Sequence, residues 1–169
     1  MGQLLEYINY KNMKTLEYNA QTGEITEREL TAEEVGQAEK LMSTESELVK
    51  QSIEQKLQEI TDYDSSDSVN SFSINGVNMW LDFDERARIR VSIDAYKANG
   101  NTTMEKYFNG TPFSFPLEVW TQMLNMLEVY ASEALNVTEK HKMDVSNLTT
   151  VQDVLSYNYK TGYPQKLSF

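Results

Sequence analysis

The sequence of 169 residues predicts an α+β fold in which two β-hairpins alternate with two helices. Asn-Gly pairs at positions 75–76 and 109–110 lie between runs of alternating apolar residues, which is the pattern of a two-residue hairpin turn. Each pair is followed by apolar residues at helical spacing. Hydrophobic residues make up 40% of the chain, which is enough for a packed core. This order of elements favours an antiparallel sheet with helices on one face.

Residues 1–60 precede this domain. Their sequence predicts a strand or hairpin followed by a long helix. The sequence alternates over 15–30 around an Asn-to-Gly turn, as strand pairs do. Thr31 and Glu34 then have the spacing of a capping box, in which each side chain satisfies a free amide of the first helical turn. From there to about Ile60, only Gly36 disfavours a helix. We therefore expect an N-terminal arm that ends in one amphipathic helix.

The apolar residues of this helix form a narrow stripe, and every other face is polar. A helix of this kind is not stable alone in water, because most helical stability comes from the packing of an apolar face. We expect another chain, or the rest of this one, to cover the stripe. The residues predicted to contact a partner are Val35, Ala38, Met42, Val49, Ile53, Leu57 and Ile60, with Leu41 and Leu48 on the same stripe.

Residues 61–68, TDYDSSDS, are acidic, rich in serine and free of large aliphatic side chains. This composition is typical of a linker. The sequence thus predicts an assembly arm over 1–60, a linker over 61–68 and a compact α+β domain over 69–169.

The first hairpin of the domain is predicted to pair Ile74 with Val77 and Phe72 with Met79, so that these side chains share one face. Asp82 and Glu85 then have the spacing of an acidic capping box, and the helix that follows is expected to end at Gly100. Its predicted core stripe is Ile89, Ile93 and Tyr96.

The second hairpin leads into a long helix that begins near Pro116. Its apolar band is wide, which predicts a central and mostly buried helix. In steps of three and four, the stripe extends to Thr138, His141, Val145 and Leu148. Thr149 is the expected cap of a short final helix, and the chain then ends in a turn.

No residue pattern requires an enzyme. Asp82, Asp84 and Glu85 suit the positive start of a helix, and Arg86 is spaced to pair with Asp82. His141 is the only histidine and there is no cysteine, which excludes thiolate chemistry and any site that needs several histidines. We expect no catalytic, cofactor or metal-binding residues. A carboxylate-based hydrolase that joins Asp82, Glu85 and His141 is a remote alternative.

Trp80 is predicted to point away from the apolar face of its hairpin. Either another part of the chain covers it or it contacts a partner, since exposed tryptophan and tyrosine are favoured as interface anchors. Trp80 and neighbouring tyrosines such as Tyr107 also support an alternative function, which is a carbohydrate- or peptide-binding module.

The net charge of −11 argues against binding to nucleic acids or to anionic lipid surfaces. No apolar run is long enough to span a bilayer. The first residues, MGQLLEYINYKNMK, lack the cationic and apolar segments of a signal peptide, so secretion by that route is not expected.

Three segments resemble an uncharacterised domain family, domain of unknown function 4376. They are VNSFSINGVNMWLDFDERARI, EKYFNG and NVTEKHKMDVSNLTTVQDVLSYNYKTGYPQKLSF, and they cover roughly 69–169. Members occur in phages and prophages of Bacteroides-type bacteria, near tail and tail-fibre genes. No catalytic residues are implied. Members carry a tryptophan-containing strand where this chain has 106–108, Lys-Tyr-Phe.

The resemblance implies a non-enzymatic tail-region protein, such as a virion component. The run TGEITERELTAEE at 22–34 is similar to the front ends of small tail-fibre assembly proteins, which adds the alternative of a tail-fibre assembly factor. The protein is expected in the virion, or in the host cytoplasm during assembly. The partners would be other phage tail or fibre proteins, a second copy bound through the N-terminal helix, or both.

Overall fold

The computed structural model describes the backbone of residues 5–9 and all of residues 14–169. Expectations for residues 1–4 and 10–13, at the start of the predicted arm, lie outside these described residues. The chain divides between Ser52 and Ile53 into an N-terminal and a C-terminal unit. The elements in chain order are β1 (Leu5–Asn9), β2 (Lys14–Tyr18), β3 (Ile25–Glu29), α1 (Ala32–Asp64), β4 (Phe72–Ile74), β5 (Val77–Met79), α2 (Phe83–Ala98), β6 (Thr103–Phe108), β7 (Thr111–Pro116), α3 (Leu117–Ser146) and α4 (Val151–Ser156).

The N-terminal unit contains a three-stranded antiparallel sheet in the order β1–β2–β3. The expected strand pair is confirmed as β2 and β3, whereas β1 was not anticipated. The turn between β2 and β3 is held by the Asn19 side chain, which accepts a hydrogen bond from the Gln21 amide at 2.9 Å. The capping box is also confirmed. The Glu34 amide donates to the Thr31 hydroxyl at 3.3 Å, and the Glu34 carboxylate accepts from the Thr31 amide at 2.7 Å.

The predicted linker at 61–68 differs from the structure. Residues 61–64 form the last turn of α1, and the division between the units precedes them, at Ser52–Ile53. The physical reason is aromatic packing, since the Tyr63 ring lies 5.7 Å from that of Tyr159 and 5.5 Å from that of Tyr163. The prediction of a linker relied on the absence of large aliphatic residues and therefore missed this contact between tyrosines.

The two hairpins of the C-terminal unit form as predicted. β4 pairs with β5 through Phe72 opposite Met79 and Ile74 opposite Val77. Asn75 and Gly76 have φ of 50° and 78°, the positive values that this turn needs. The hairpins do not join into one sheet, because β4–β5 and β6–β7 are separate two-stranded sheets. On its other side, β4 instead bonds residues 164–169, which we call the C-terminal segment, through a parallel bridge between Ser73 and Ser168.

α2 begins as expected, with the Asp82 carboxylate accepting from the Glu85 amide at 2.7 Å. The expected pair between Asp82 and Arg86 is wrong. Arg86 pairs with Glu128 of α3 at 3.0 Å from Nε to Oε1, because the α2 face that carries Arg86 packs on α3 and Asp82 is engaged as the cap. Tyr96 was placed in the core but is 39% exposed, since it lies in the last turns of α2.

α3 carries the central stripe of the main core, which lies between both hairpins, α2 and α3. Trp120 is fully buried and donates its indole N–H to the Met104 carbonyl at 2.9 Å. The predicted continuation through Thr138, His141 and Val145 is confirmed by their burial. The final helix α4 is capped by Thr150 rather than by Thr149, because the Thr150 hydroxyl accepts from the Asp153 amide.

Candidate interaction surfaces

The C-terminal part of the apolar stripe of α1 is covered. Ile60 is fully buried, and Ile53 and Leu57 pack beside it against Val145 and Val154. The C-terminal unit itself therefore covers these three residues, and Ile60 in particular is not accessible to a partner. The expectation of a partner contact at Ile60 is corrected by this intramolecular cluster.

The preceding part of the stripe is largely exposed. Leu41 is 60% exposed, Met42 46% and Leu48 51%. Val35 and Val49 are half-buried, and Ala38 is buried. Of the predicted partner-contact residues in the N-terminal unit, Met42 and the half-buried valines retain accessible surface, and Leu41 and Leu48 extend this surface on the same helix face.

An acidic side chain lies at the centre of the exposed part. Glu45 follows Leu41 by four residues and precedes Leu48 by three, so it occupies the same helix face. Across the described residues, Glu45 makes no hydrogen bond or ion pair. We call this surface the Glu45 face, and it consists of Leu41, Met42, Glu45, Leu48 and Val49. The position of Glu45 between Leu41 and Leu48 can be read from the sequence, but the predicted stripe did not include it.

Trp80 is half-buried and is covered from within the C-terminal unit. Its ring lies 6.3 Å from that of Phe72 and 6.2 Å from that of Tyr130, measured between centroids. The Arg86 guanidinium lies 5.4 Å from the centroid of the indole. Tyr107 is 65% exposed on the other hairpin. Most of the indole therefore has neighbours of its own, and a partner contact through its remaining surface stays a prediction.

The acidic residues at the start of α2 have structural partners. Asp82 caps the helix, and the Glu85 carboxylate lies 3.7 Å from the Arg88 guanidinium. The start of α2 contacts α3 at Glu128, which pairs with Arg86. His141 lies thirteen residues further along α3, which is about 20 Å along a helix. The three residues of the hydrolase alternative thus each serve a different local contact.

His141 anchors the residues that follow α4. Its Nε2–H donates to the Thr161 carbonyl at 2.9 Å, which leaves Nδ1 facing the Tyr157 hydroxyl at 2.8 Å. The same hydroxyl lies 3.1 Å from the Asp144 carboxylate. A hydrogen bond from Lys140 lowers the pKa of Asp144, and burial raises the pKa of Tyr157. This arrangement explains His141 as a buried, hydrogen-bonded link between α3 and the chain end.

A groove lies between α3 and the C-terminal segment. It contains a cavity of about 450 Å³ that is walled by Met126 and Val129 on one side and by Pro164 and Leu167 on the other. The sequence predicted Val119 and Met126 to lie in the buried band of α3, but Val119 is 42% and Met126 49% exposed.

Two classes of site are not found in the described part of the chain. Among residues 5–9 and 14–169, no group of three acidic or histidine side chains is arranged to hold a metal ion. None of the helices described combines the length and the apolar character that crossing a membrane requires.

Comparisons with protein-family models, with curated proteins and with solved structures find no match to this chain.

Proposed function

We propose that this protein is a non-enzymatic assembly protein of a phage or prophage tail region. It acts by docking the Glu45 face of α1 onto a basic amphipathic helix of another tail protein. The observation that supports this proposal is the exposure of Leu41, Met42 and Leu48 around Glu45, whose carboxylate has no partner among the described residues. The phage context rests on the resemblance of residues 69–169 and is part of the proposal.

The apolar part of the Glu45 face supplies the driving force. Burying an apolar side chain of this size contributes roughly 1.5 to 3 kcal/mol to binding when the side chain is fully exposed beforehand. These side chains are about half exposed, so each contributes about half of that. Three such side chains on one face are sufficient for a specific contact but not for an extensive interface. A small amphipathic helix is the simplest occupant, because its apolar residues repeat with the same spacing.

Charge favours a different protein over a second copy of this chain as the partner. A second copy on the Glu45 face would bring like-charged carboxylates together, on chains that each carry a net charge of −11. A lysine or arginine of another protein, placed opposite Glu45, would instead form an ion pair with the Glu45 carboxylate. We therefore assign the face to a partner whose apolar residues surround a cation.

The test is photo-crosslinking at position 48 of the full-length protein in cells that produce the encoding phage. We expect a crosslink to a tail protein, at a helical segment that contains a lysine or arginine. Glu45→Lys should reduce the yield at least about tenfold, since it places two cations in contact. The matched control is Glu47→Lys, which makes the same charge change elsewhere on the helix circumference.

A crosslink only to a second copy of the chain would overturn the docking model, as would a yield that Glu45→Lys leaves unchanged. Mass spectrometry of purified particles then separates the two possible roles. Stoichiometric amounts in the particle indicate a virion component, and presence only in producing cells indicates an assembly factor.

A further inference from the structure

The groove between α3 and the C-terminal segment is a second apolar surface, and it lies wholly within the C-terminal unit. Its main cavity of about 450 Å³ adjoins one of about 170 Å³, and Met126 lines both. Val119 lines the smaller cavity and Glu133 the larger. The groove therefore follows α3 for fourteen residues, or about 21 Å, which is the length of six or seven residues of extended chain.

The groove presents apolar side chains to solvent. Val119 is 42% exposed, Met126 49% and Val129 59%. Methionine adapts its shape to different apolar partners. These three residues expose apolar surface along one side of α3, which is a feature of protein-interaction grooves.

The opposite wall of the groove is held in place by backbone hydrogen bonds. The Ser73 amide donates to the Leu167 carbonyl at 3.1 Å, and the Phe169 amide donates to the Ser73 carbonyl at 2.8 Å. The buried Tyr130 hydroxyl donates to the Val69 carbonyl at 2.7 Å and so fixes the floor. Preformed walls reduce the ordering cost of binding.

A carboxylate lines one end of the groove, and a second lies on α3 just beyond the residues that line the other end. Glu133 lines one end, and Glu118 lies one turn before Gln122, which lines the other. Both glutamates are exposed, and neither forms an ion pair with any described residue. Glu128, by contrast, is paired with Arg86. No lysine or arginine lines either cavity. The two free carboxylates are about 22 Å apart along α3.

We propose that this groove binds an extended segment of a partner protein, in which an apolar stretch is flanked by a lysine or arginine at each end. The apolar stretch lies on Val119, Met126 and Val129, and the two cations pair with Glu118 and Glu133. This binding does not depend on the Glu45 face, because the groove residues belong to other elements.

The test is fluorescence anisotropy with the full-length protein and two labelled nine-residue peptides. Both peptides share the same seven central residues, drawn from leucine, valine, proline and serine. One peptide has a lysine at each end, and the other has a glutamate at each end. We expect saturable binding of the lysine peptide and at least about tenfold weaker binding of the glutamate peptide. Glu133→Lys should weaken binding of the lysine peptide and strengthen binding of the glutamate peptide.

Val129→Lys tests the location of binding, and Val91→Lys is its control. Val91 is 70% exposed on α2 and lines neither cavity. We expect Val129→Lys to lower the affinity at least about tenfold and Val91→Lys to leave it unchanged. Equal affinities of the two variants, or no binding of the lysine peptide to the unmodified protein, would overturn the proposal. So would a dimer that Val129→Lys dissociates, because a second copy would then occupy the groove.

Discussion

The Thr138 hydroxyl in the C-terminal half of α3 donates a hydrogen bond to the Asp64 carboxylate at the end of α1, over 2.6 Å. Tyr163 lies 2.9 Å from the same hydroxyl and donates to it, because the hydroxyl proton of Thr138 is already engaged. Thr138 is fully buried. One hydroxyl group thus joins three segments that are far apart in the sequence.

Replacing Thr138 with valine keeps the shape and removes both hydrogen bonds. We expect the free energy of unfolding to fall by about 1 to 3 kcal/mol, since the two half-buried partners each lose a hydrogen bond to a buried hydroxyl. Urea denaturation of the purified protein measures the loss. Thr138→Ser is the matched control and should retain most of the stability, because it keeps the hydroxyl group. A Thr138→Val variant as stable as the unmodified protein would contradict this role.

The ion pair between Arg86 and Glu128 provides a second test. Arg86 is 6% exposed, donates to the Leu81 carbonyl and stacks on Trp80. We expect Arg86→Ala to lower the free energy of unfolding by about 2 to 4 kcal/mol, because packing and a buried hydrogen bond are lost together. Glu128→Gln should cost about 1 kcal/mol, since that side chain is partly solvated.

Arg88→Ala is the control for the effect of Arg86→Ala. The Arg88 side chain is 71% exposed and reaches Glu85 only at 3.7 Å. Its replacement should change the stability by less than about 0.5 kcal/mol. If denaturation showed similar losses for Arg86→Ala and Arg88→Ala, the packing role of Arg86 would be excluded.

Two glycines should respond to alanine in opposite directions. Gly36 lies within α1 and Gly76 in a hairpin turn with φ of 78°, and a Cβ atom at either position meets nothing within 4 Å. Gly36→Ala should stabilise α1 by about 0.5 to 1 kcal/mol, because alanine favours the helix. Gly76→Ala should destabilise the C-terminal unit by about 1 kcal/mol or more, because of the positive φ. Thermal melts of both variants measure these signs, and a stabilising Gly76→Ala would contradict the turn geometry.

The capping box of α1 should depend on pH. The Arg28 guanidinium holds both oxygens of the Glu34 carboxylate at 2.8 Å, and this hydrogen bonding lowers the pKa of Glu34 from 4.5 to about 2. Because the pKa is lower in the folded state, the stabilisation is complete above pH 4.5 and disappears as the pH falls through about 2. An NMR titration of the Glu34 side chain should give this low midpoint.

Variants of the two neighbouring cations identify the cause of that midpoint. Arg28→Gln should raise the Glu34 midpoint toward 4.5, since the bidentate hydrogen bond is lost. Lys14→Gln is the control and should leave it in place, because Lys14 pairs with Glu27 and Glu29 instead. An unchanged midpoint in Arg28→Gln would show that the guanidinium does not set the pKa of Glu34.

Local chemistry made much of the fold predictable. The Asn75-Gly76 turn, the capping box at Thr31 and the alternation around them depend only on residues close in the sequence. The register of β4 and β5 follows from the turn, because a two-residue loop leaves only one pairing. The period of α3 likewise identified Thr138 and His141 as buried, although not their hydrogen-bond partners.

The candidate surfaces were only partly predictable. The stripe on α1 was visible, but its division into a covered part around Ile60 and an exposed part around Leu48 was not. The groove on α3 was missed, because Val119 and Met126 belong to an apolar band that the sequence places in the core. A periodic pattern identifies an apolar face without showing whether anything lies against it.

The hairpins, the helix starts and the helix faces follow from residues that are neighbours in the sequence, since turn and capping chemistry act over a few positions. The tertiary structure decided that Arg86 pairs with Glu128, that the chain end lies beside β4, and which half of the α1 stripe remains open. These outcomes depend on side chains that are distant in the sequence and compete for the same space. Only packing decides which of them meet.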